Sequence, residues 1–252
     1  MVPGSLEAGS IAVLVAGVAT GGLIGAVGVG GVLIAPLLVL LAGYEPHLAV
    51  ATASWSFLFT GIVGAIAYAR RGNLDGRAAV RVVATVVPAA VVGAWTNAHA
   101  SSFALTVLLC LLVTTSGLRE LLAPTPSVAR AKPMPSGPIL AGLGAVAGFV
   151  SALTGTGGPV VLVPLLLLLR VPALAAVGLS QVVQLPVAVF ASLGYGLFGR
   201  IDIPMGTALG LTQAVGVLLG ARLAHTLPSR RLGQVVAFAL LGTAALLLTR
   251  MG

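Results

Sequence analysis

A chain of 252 residues that is 58% hydrophobic and only 7% charged, with a mean hydropathy of +1.14, is excluded from the soluble globular class. Apolar runs of about 20 residues recur along it, the signature of a polytopic α-helical membrane protein. The net charge of +8 sits in short loops between those runs, so it marks topology and no nucleic-acid partner is expected.

The first apolar stretch, from about Ile11 to Ala42, is interrupted by Thr20-Gly21-Gly22 and by Gly28-Val-Gly-Gly31. It is too long for one crossing, and its second part is too short for a full one. A helix followed by a shorter, re-entering helix fits it best. No Lys or Arg precedes it, so it is read as a structural helix and not a cleaved leader. After the turn Glu45-Pro46-His47, helices are expected at about 48–69, 79–97 and 103–122, with Pro88 kinking the second of these. Residues 123–138 are proline-rich, polar and basic, a cytoplasmic linker between a first membrane repeat (1–122) and a second (139–252).

The second half reads as a copy of the first. Gly28, Gly30 and Gly31 line up with Gly155, Gly157 and Gly158 at an offset of 127 residues, and a proline-containing Leu/Val run follows each cluster, through Pro36 and Pro164. A broken hairpin at about 139–169 is followed by expected helices at 174–198, 205–224 and 232–249. If each hairpin returns to its starting side, each half crosses an odd number of times and the two are inverted. Eleven of the 13 Lys and Arg then share one face, with only Arg200 and Arg250 on the other. Positive-inside bias favours that arrangement and puts both termini outside. The expected fold class is therefore an all-α polytopic membrane protein of two inverted repeats, each a broken helix hairpin plus three transmembrane helices. Such repeats place substrate where they meet.

Clustered glycines open a helix and leave backbone N–H groups unpaired, which hydrocarbon does not tolerate. A helix restarting after such a break aims its N-terminal N–H groups and positive dipole end at whatever lies in front. The two breaks are read as a paired anion-binding device, with Gly28, Gly30, Gly31, Gly155, Thr156, Gly157 and Gly158 as its backbone. The neutral polar residues at depth are its side-chain donors: Thr52 and Ser54 early in one long helix, and Ser180, Gln181 and Gln184 at the equivalent place in the other. Ser54 matches Ser180 at an offset of 126. No Asp, Glu, Lys or Arg lies clearly inside a span, so no proton relay on a buried carboxylate and no catalytic site is expected. His47, His99 and His225 match no metal motif and are read as structural or solvated. The lone Cys110 lies in an apolar run, which leaves out disulfides and a thiolate metal site. No cofactor and no metal is expected; the partners are a small anionic substrate and the lipid bilayer.

Two Gly-x-Gly-Gly segments, each followed by a proline-containing apolar run and an Ala-rich helix with Ser in its first turns, resemble the sulfite exporter TauE/SafE family over essentially all of residues 10–250. The resemblance implies a permease of the bacterial inner membrane for small anions, often sulfur oxyanions or organosulfonates. Here Pro159 stands where that family usually has glycine. Thiosulfate-uptake relatives depend on pathway cysteines, and Cys110 alone is far from both breaks. The expected function is transport, most plausibly export, of sulfite or a related sulfur-containing anion. A non-transporting membrane scaffold whose glycines only pack helices is the competing reading, and a polar cavity at the breaks separates the two.

Overall fold

The computed structural model describes residues 3–122, 133–198 and 200–224, with a few single positions beyond. Most of the 123–138 linker and the helix expected at 232–249 lie outside the described residues. What is described is helical: α1 (Pro3–Val27), a 3-10 turn (Gly30–Leu33), α2 (Ile34–Ala42), α3 (Pro46–Ala69), α4 (Gly76–His99), α5 (Ser102–Leu122), α6 (Gly137–Thr154), α7 (Pro159–Leu168), α8 (Ala173–Phe198) and α9 (Ile203–Leu223). Within α1, α3, α4, α6, α8 and α9 lie six stretches long and apolar enough to cross a membrane. The protein is a multi-pass α-helical membrane protein.

Carboxylates begin three of these helices. Glu45 caps α3 by accepting from His47 N and Leu48 N, Asp75 caps α4 by accepting from Arg77 N and Ala78 N, and Asp202 caps α9 by accepting from Met205 N. Each satisfies orphan first-turn donors and complements the positive helix end. Among the described side chains, acidic charge sits at helix ends.

Helices α3 and α8 pack against each other at the centre, buried over 61% and 56% of their apolar windows against 33–39% for the other four spans. On either side lies a tightly packed pair, α1 with α9 and α4 with α6. Glycine makes both possible. Gly21 and Gly25 press on the backbone of Gln213 and Val217, and Gly216 and Gly220 answer against the carbonyls of Val18 and Gly22. In the other pair Gly148 sits on Val86, Gly144 on Val82 and Gly93 on Phe149. Small residues at such crossings let backbones approach, the usual source of helix association in lipid. Outward-facing positions such as Val15, Val80, Phe103 and Leu211 are apolar and exposed, as a lipid-facing surface requires.

Two contacts bear on the hairpins. Gly9 near the start of α1 packs against Leu41 and Ala42 at the end of α2. Leu140 early in α6 shares a buried cluster with Leu166 of α7, with Val171 just beyond it and with Ala78 of α4. The end of α2 thus lies beside the first turns of α1.

Candidate functional site

The first break begins where α1 stops. Gly28 takes φ +82°, and its N–H donates to the carbonyls of Leu23 (3.1 Å) and Ile24 (3.0 Å), closing the helix. The next residue, Val29, precedes the 3-10 turn without side-chain capping. The second break is built differently. Gly155 ends α6 at φ +65°, its N–H on Ser151 O, and Thr156 N reaches the same carbonyl at 3.2 Å. Gly157 (φ +81°) and Gly158 (φ +95°) follow, a left-handed pair that residues with a Cβ rarely adopt. Among the described residues the N–H groups of Gly157 and Gly158 have no hydrogen-bond partner. They stand at the N-terminus of α7, where the dipole is positive.

The two breaks meet. A Cβ at Gly31 would lie 2.7 Å from Thr156 O and 3.2 Å from Phe57 Cζ; one at Gly157 would lie 2.8 Å from Phe57 Cδ2 and 3.1 Å from Gln184 Nε2. Gly28 faces Pro159 and Val163 of α7, with Ser180 Oγ 3.7 Å from its would-be Cβ. The ring of Phe57, fully buried, therefore stands between the breaks and occupies the space in front of them.

Gly30 departs from expectation. It has no positive φ; a side chain there would strike the Thr20 carbonyl and Leu23 Cβ of α1. Its place is fixed by close approach and not by backbone conformation. The prolines also fall differently. Pro159, at the first position of α7, is the residue that starts the second short helix; a proline there forfeits no hydrogen bond because that N–H has no partner in any helix. Pro164 lies inside α7 and Pro36 in the first turn of α2.

All five predicted side-chain donors, and Thr156, are buried, and their hydrogen bonds differ. Gln181 Nε2 donates to Ile24 O at 2.9 Å, stitching α8 to the frayed end of α1. Gln184 Nε2 donates to Thr60 Oγ1 at 2.9 Å. The remaining carbonyl oxygens of both glutamines have no partner. Ser180 Oγ donates to Val177 O at 2.7 Å within its own helix. Thr156 Oγ1 pairs with Thr154 Oγ1 at 3.1 Å. Thr52 Oγ1 accepts from Asp202 N at 3.2 Å, which ties it to the start of α9, away from the breaks. Ser54 faces the Tyr195 hydroxyl without a hydrogen bond of normal geometry.

Sequence reasoning missed Phe57, Thr60 and Ser151. Thr60 was findable, because Thr52, Ser56, Thr60 and Gly64 recur every four residues and so share one face of α3. Ser151, whose buried hydroxyl has no partner, carries no such signal.

Beyond Ser54, toward the Glu45 end of α3, lies a cavity of about 340 Å³ lined by Glu45, His47, Leu48, Ala51, Asn97, Ala98, Tyr195 and Arg200. Asn97 Nδ2 donates to Leu153 O at 2.8 Å, holding the last turn of α6 just before its break. Asn97 Oδ1 lies 3.4 Å from His47 Nδ1. This cavity, largely apolar with a few polar groups, lies beside the second break, while the space between the breaks is filled by Phe57.

Membrane-spanning helices around two facing interior breaks, whose described contacts are all neutral, define a polytopic membrane protein with a buried neutral polar centre. The chain belongs to the sulfite exporter TauE/SafE family, whose model matches residues 13–247. It is also similar to a protein of Sinorhizobium sp described as probable membrane transporter protein ORF9, at 29% identity over 99 residues. That match covers 39% of this chain and 38% of the relative's length. No solved structure matches the chain.

Proposed function

We propose that this chain is a transporter of small anions, sulfite or a related sulfur oxyanion or organosulfonate, in the bacterial inner membrane. The carrying observation is the pair of unpartnered N–H groups on Gly157 and Gly158, at a helix N-terminus that abuts the first break. Two N–H donors and a positive dipole end, with neutral residues in contact with them among those described, suit an anion and repel a cation. Ser54, Ser180, Gln181 and Gln184 supply the surrounding polarity. The hairpin contacts at Gly9 and Leu140, with the reciprocal pairing of α1 with α9 and α6 with α4, support inverted halves. In that arrangement Arg200 faces outside. With the cell interior negative, potential alone favours anion exit by about 2.3 kcal/mol per charge per 100 mV, so export needs no buried carboxylate.

Phe57 closes the path in this state. The test is sulfite flux in proteoliposomes, normalised to folded protein. The parent should carry sulfite and Phe57→Ala should carry it several-fold faster. A folded parent and Phe57→Ala variant that both move no anion would return the chain to the scaffold reading.

A further inference from the structure

The carbonyl of Leu153 in α6 has two rival donors. In a continuing α-helix it would accept from the N–H four residues on, that of Gly157. Instead Asn97 Nδ2, from α4, donates to it at 2.8 Å. A carbonyl can only accept, so the Asn97 amide turns its NH2 group to α6 and its Oδ1 to His47 Nδ1, 3.4 Å away. Asn97 is 2% exposed. It reaches Leu153 because Gly93, one turn earlier in α4, lets the two helices close. A Cβ at Gly93 would lie 3.1 Å from Ala152 Cβ and 3.2 Å from Leu153 N.

The end of α6 is arranged around that substitution. Gly155 N donates to Ser151 O, and Thr156 N reaches five residues back to the same carbonyl at 3.2 Å. Gly157 is the next donor in line, and the acceptor it would take is occupied. The left-handed φ of Gly155 and Gly157 is one that glycine enters and leaves at little cost. Pro159 disfavours helix only at Gly158. The backbone alone therefore does not forbid Gly157 from joining α6. At the offset of 127 that pairs Gly93 with Gly220, Asn97 corresponds to Ala224, which has no side-chain donor. The first break is held differently: Gln181 from α8 donates to Ile24 O, a carbonyl that Gly28 N–H already reaches.

We propose that Asn97 is a positioning residue for the anion site: it takes Leu153 O in place of the Gly157 N–H and so leaves that N–H free to donate to an anion. The occupant rests on the anion-transport reading; the open N–H does not. Asn97 acts through the backbone whose acceptor it fills.

Amide hydrogen exchange in the purified protein tests this. Isotopic labelling of threonine carbonyls and glycine amides leaves only the Thr-Gly junctions visible by NMR, those at Gly21, Gly61, Gly155 and Gly157. Gly155 and Gly157 are both buried, so their contrast reads hydrogen bonding more than access. In the parent, Gly157 should exchange at least about tenfold faster than Gly155. In Asn97→Leu, close in volume and without a donor, Gly157 should slow to within about twofold of Gly155, and calorimetric affinity for sulfite should fall about tenfold. A merely structural role would speed exchange at Gly157 or leave it alone, and would lower the melting temperature without changing affinity per folded molecule. Equal protection of the two glycines in the parent overturns the proposal whether or not the leucine variant folds, as does a folded variant whose Gly157 still exchanges fast. Sulfite flux on the same parent protein reads transport separately: the exchange contrast without flux keeps Asn97 opening the N–H and removes the transport reading, whereas flux without the contrast removes the role of Asn97.

Discussion

The hydroxyl of Tyr44 donates to Asp202 Oδ2 at 2.6 Å, joining residues 158 positions apart. The same aspartate caps α9 through Oδ1, and its backbone N–H donates to Thr52 Oγ1. One residue thereby fixes the first hairpin's exit, the start of α3 and the start of α9. At the matching turn of the second half stand Arg170 and Val171, neither with a hydroxyl, so among the described residues this clasp belongs to the Arg200 face.

Tyr44→Phe should lower stability by about 1–2 kcal/mol, the worth of a half-buried hydrogen bond to a charged acceptor. Burial first, then the bond to and charge of Asp202, raise the Tyr44 pKa well above its ordinary value. A raised value means that the stabilisation is complete below the unfolded pKa of about 10 and fades as pH rises toward the folded one. Melting temperature should therefore fall more steeply above pH 10 in the parent than in Tyr44→Phe. Parallel slopes in detergent-solubilised protein would show that the clasp carries no linked proton.

Glycines at the breaks should separate by mechanism. Gly157→Ala combines a left-handed φ with a collision against Phe57 and should destabilise by more than about 2 kcal/mol. Gly158→Ala has the same backbone problem, but its nearest neighbour lies 3.7 Å away, so about 1–2 kcal/mol is expected. Gly30→Ala should act through folding yield, because its obstacle is the α1 backbone. Thermal melts of the three variants, beside flux per folded molecule, check the order.

Of the paired serines, Ser54 should matter more. Its hydroxyl faces that of Tyr195, whereas that of Ser180 is taken by Val177 O of its own helix. Ser54→Ala should weaken sulfite binding by about 1 kcal/mol, or fivefold, and Ser180→Ala by less. Calorimetric titration of both variants decides it, and equal affinities for both and the parent would make the serines packing residues.

Topology offers a direct check on inversion. Ser136→Cys, just before α6, and Leu169→Cys, just after α7, should both be labelled only from within the cell. Labelling of the two from opposite sides would break the inverted arrangement.

The sequence made the breaks legible because glycine clusters are rare inside otherwise unbroken apolar runs, and their repetition gave each copy weight. It did not distinguish why a glycine is there. Gly157 answers to a left-handed φ and Gly30 to the nearness of Thr20, and one letter encodes both. The described helices after α1 were legible to within about three residues, since capping carboxylates and prolines mark several of their starts; α1 begins at Pro3, well before the expected Ile11. The 340 Å³ cavity was not, for His47, Asn97, Tyr195 and Arg200 are scattered over some 150 residues and only packing gathers them. Phe57 was invisible for another reason: an aromatic in an apolar helix looks like any packing residue until its ring is found between two glycines.

The glycine-faced pairs have a consequence for how the protein is made. Helix α1 ends at Val27, and α9, whose backbone it grips, begins at Ile203. A ribosome adding about 5–20 residues per second needs roughly 9–35 s to span that gap. During that interval α1 sits in the membrane with a bare glycine face, open to any other small-residue helix nearby. Insertion and assembly are separate events for this chain, and α1 is the segment on which chaperoning in the bilayer would act.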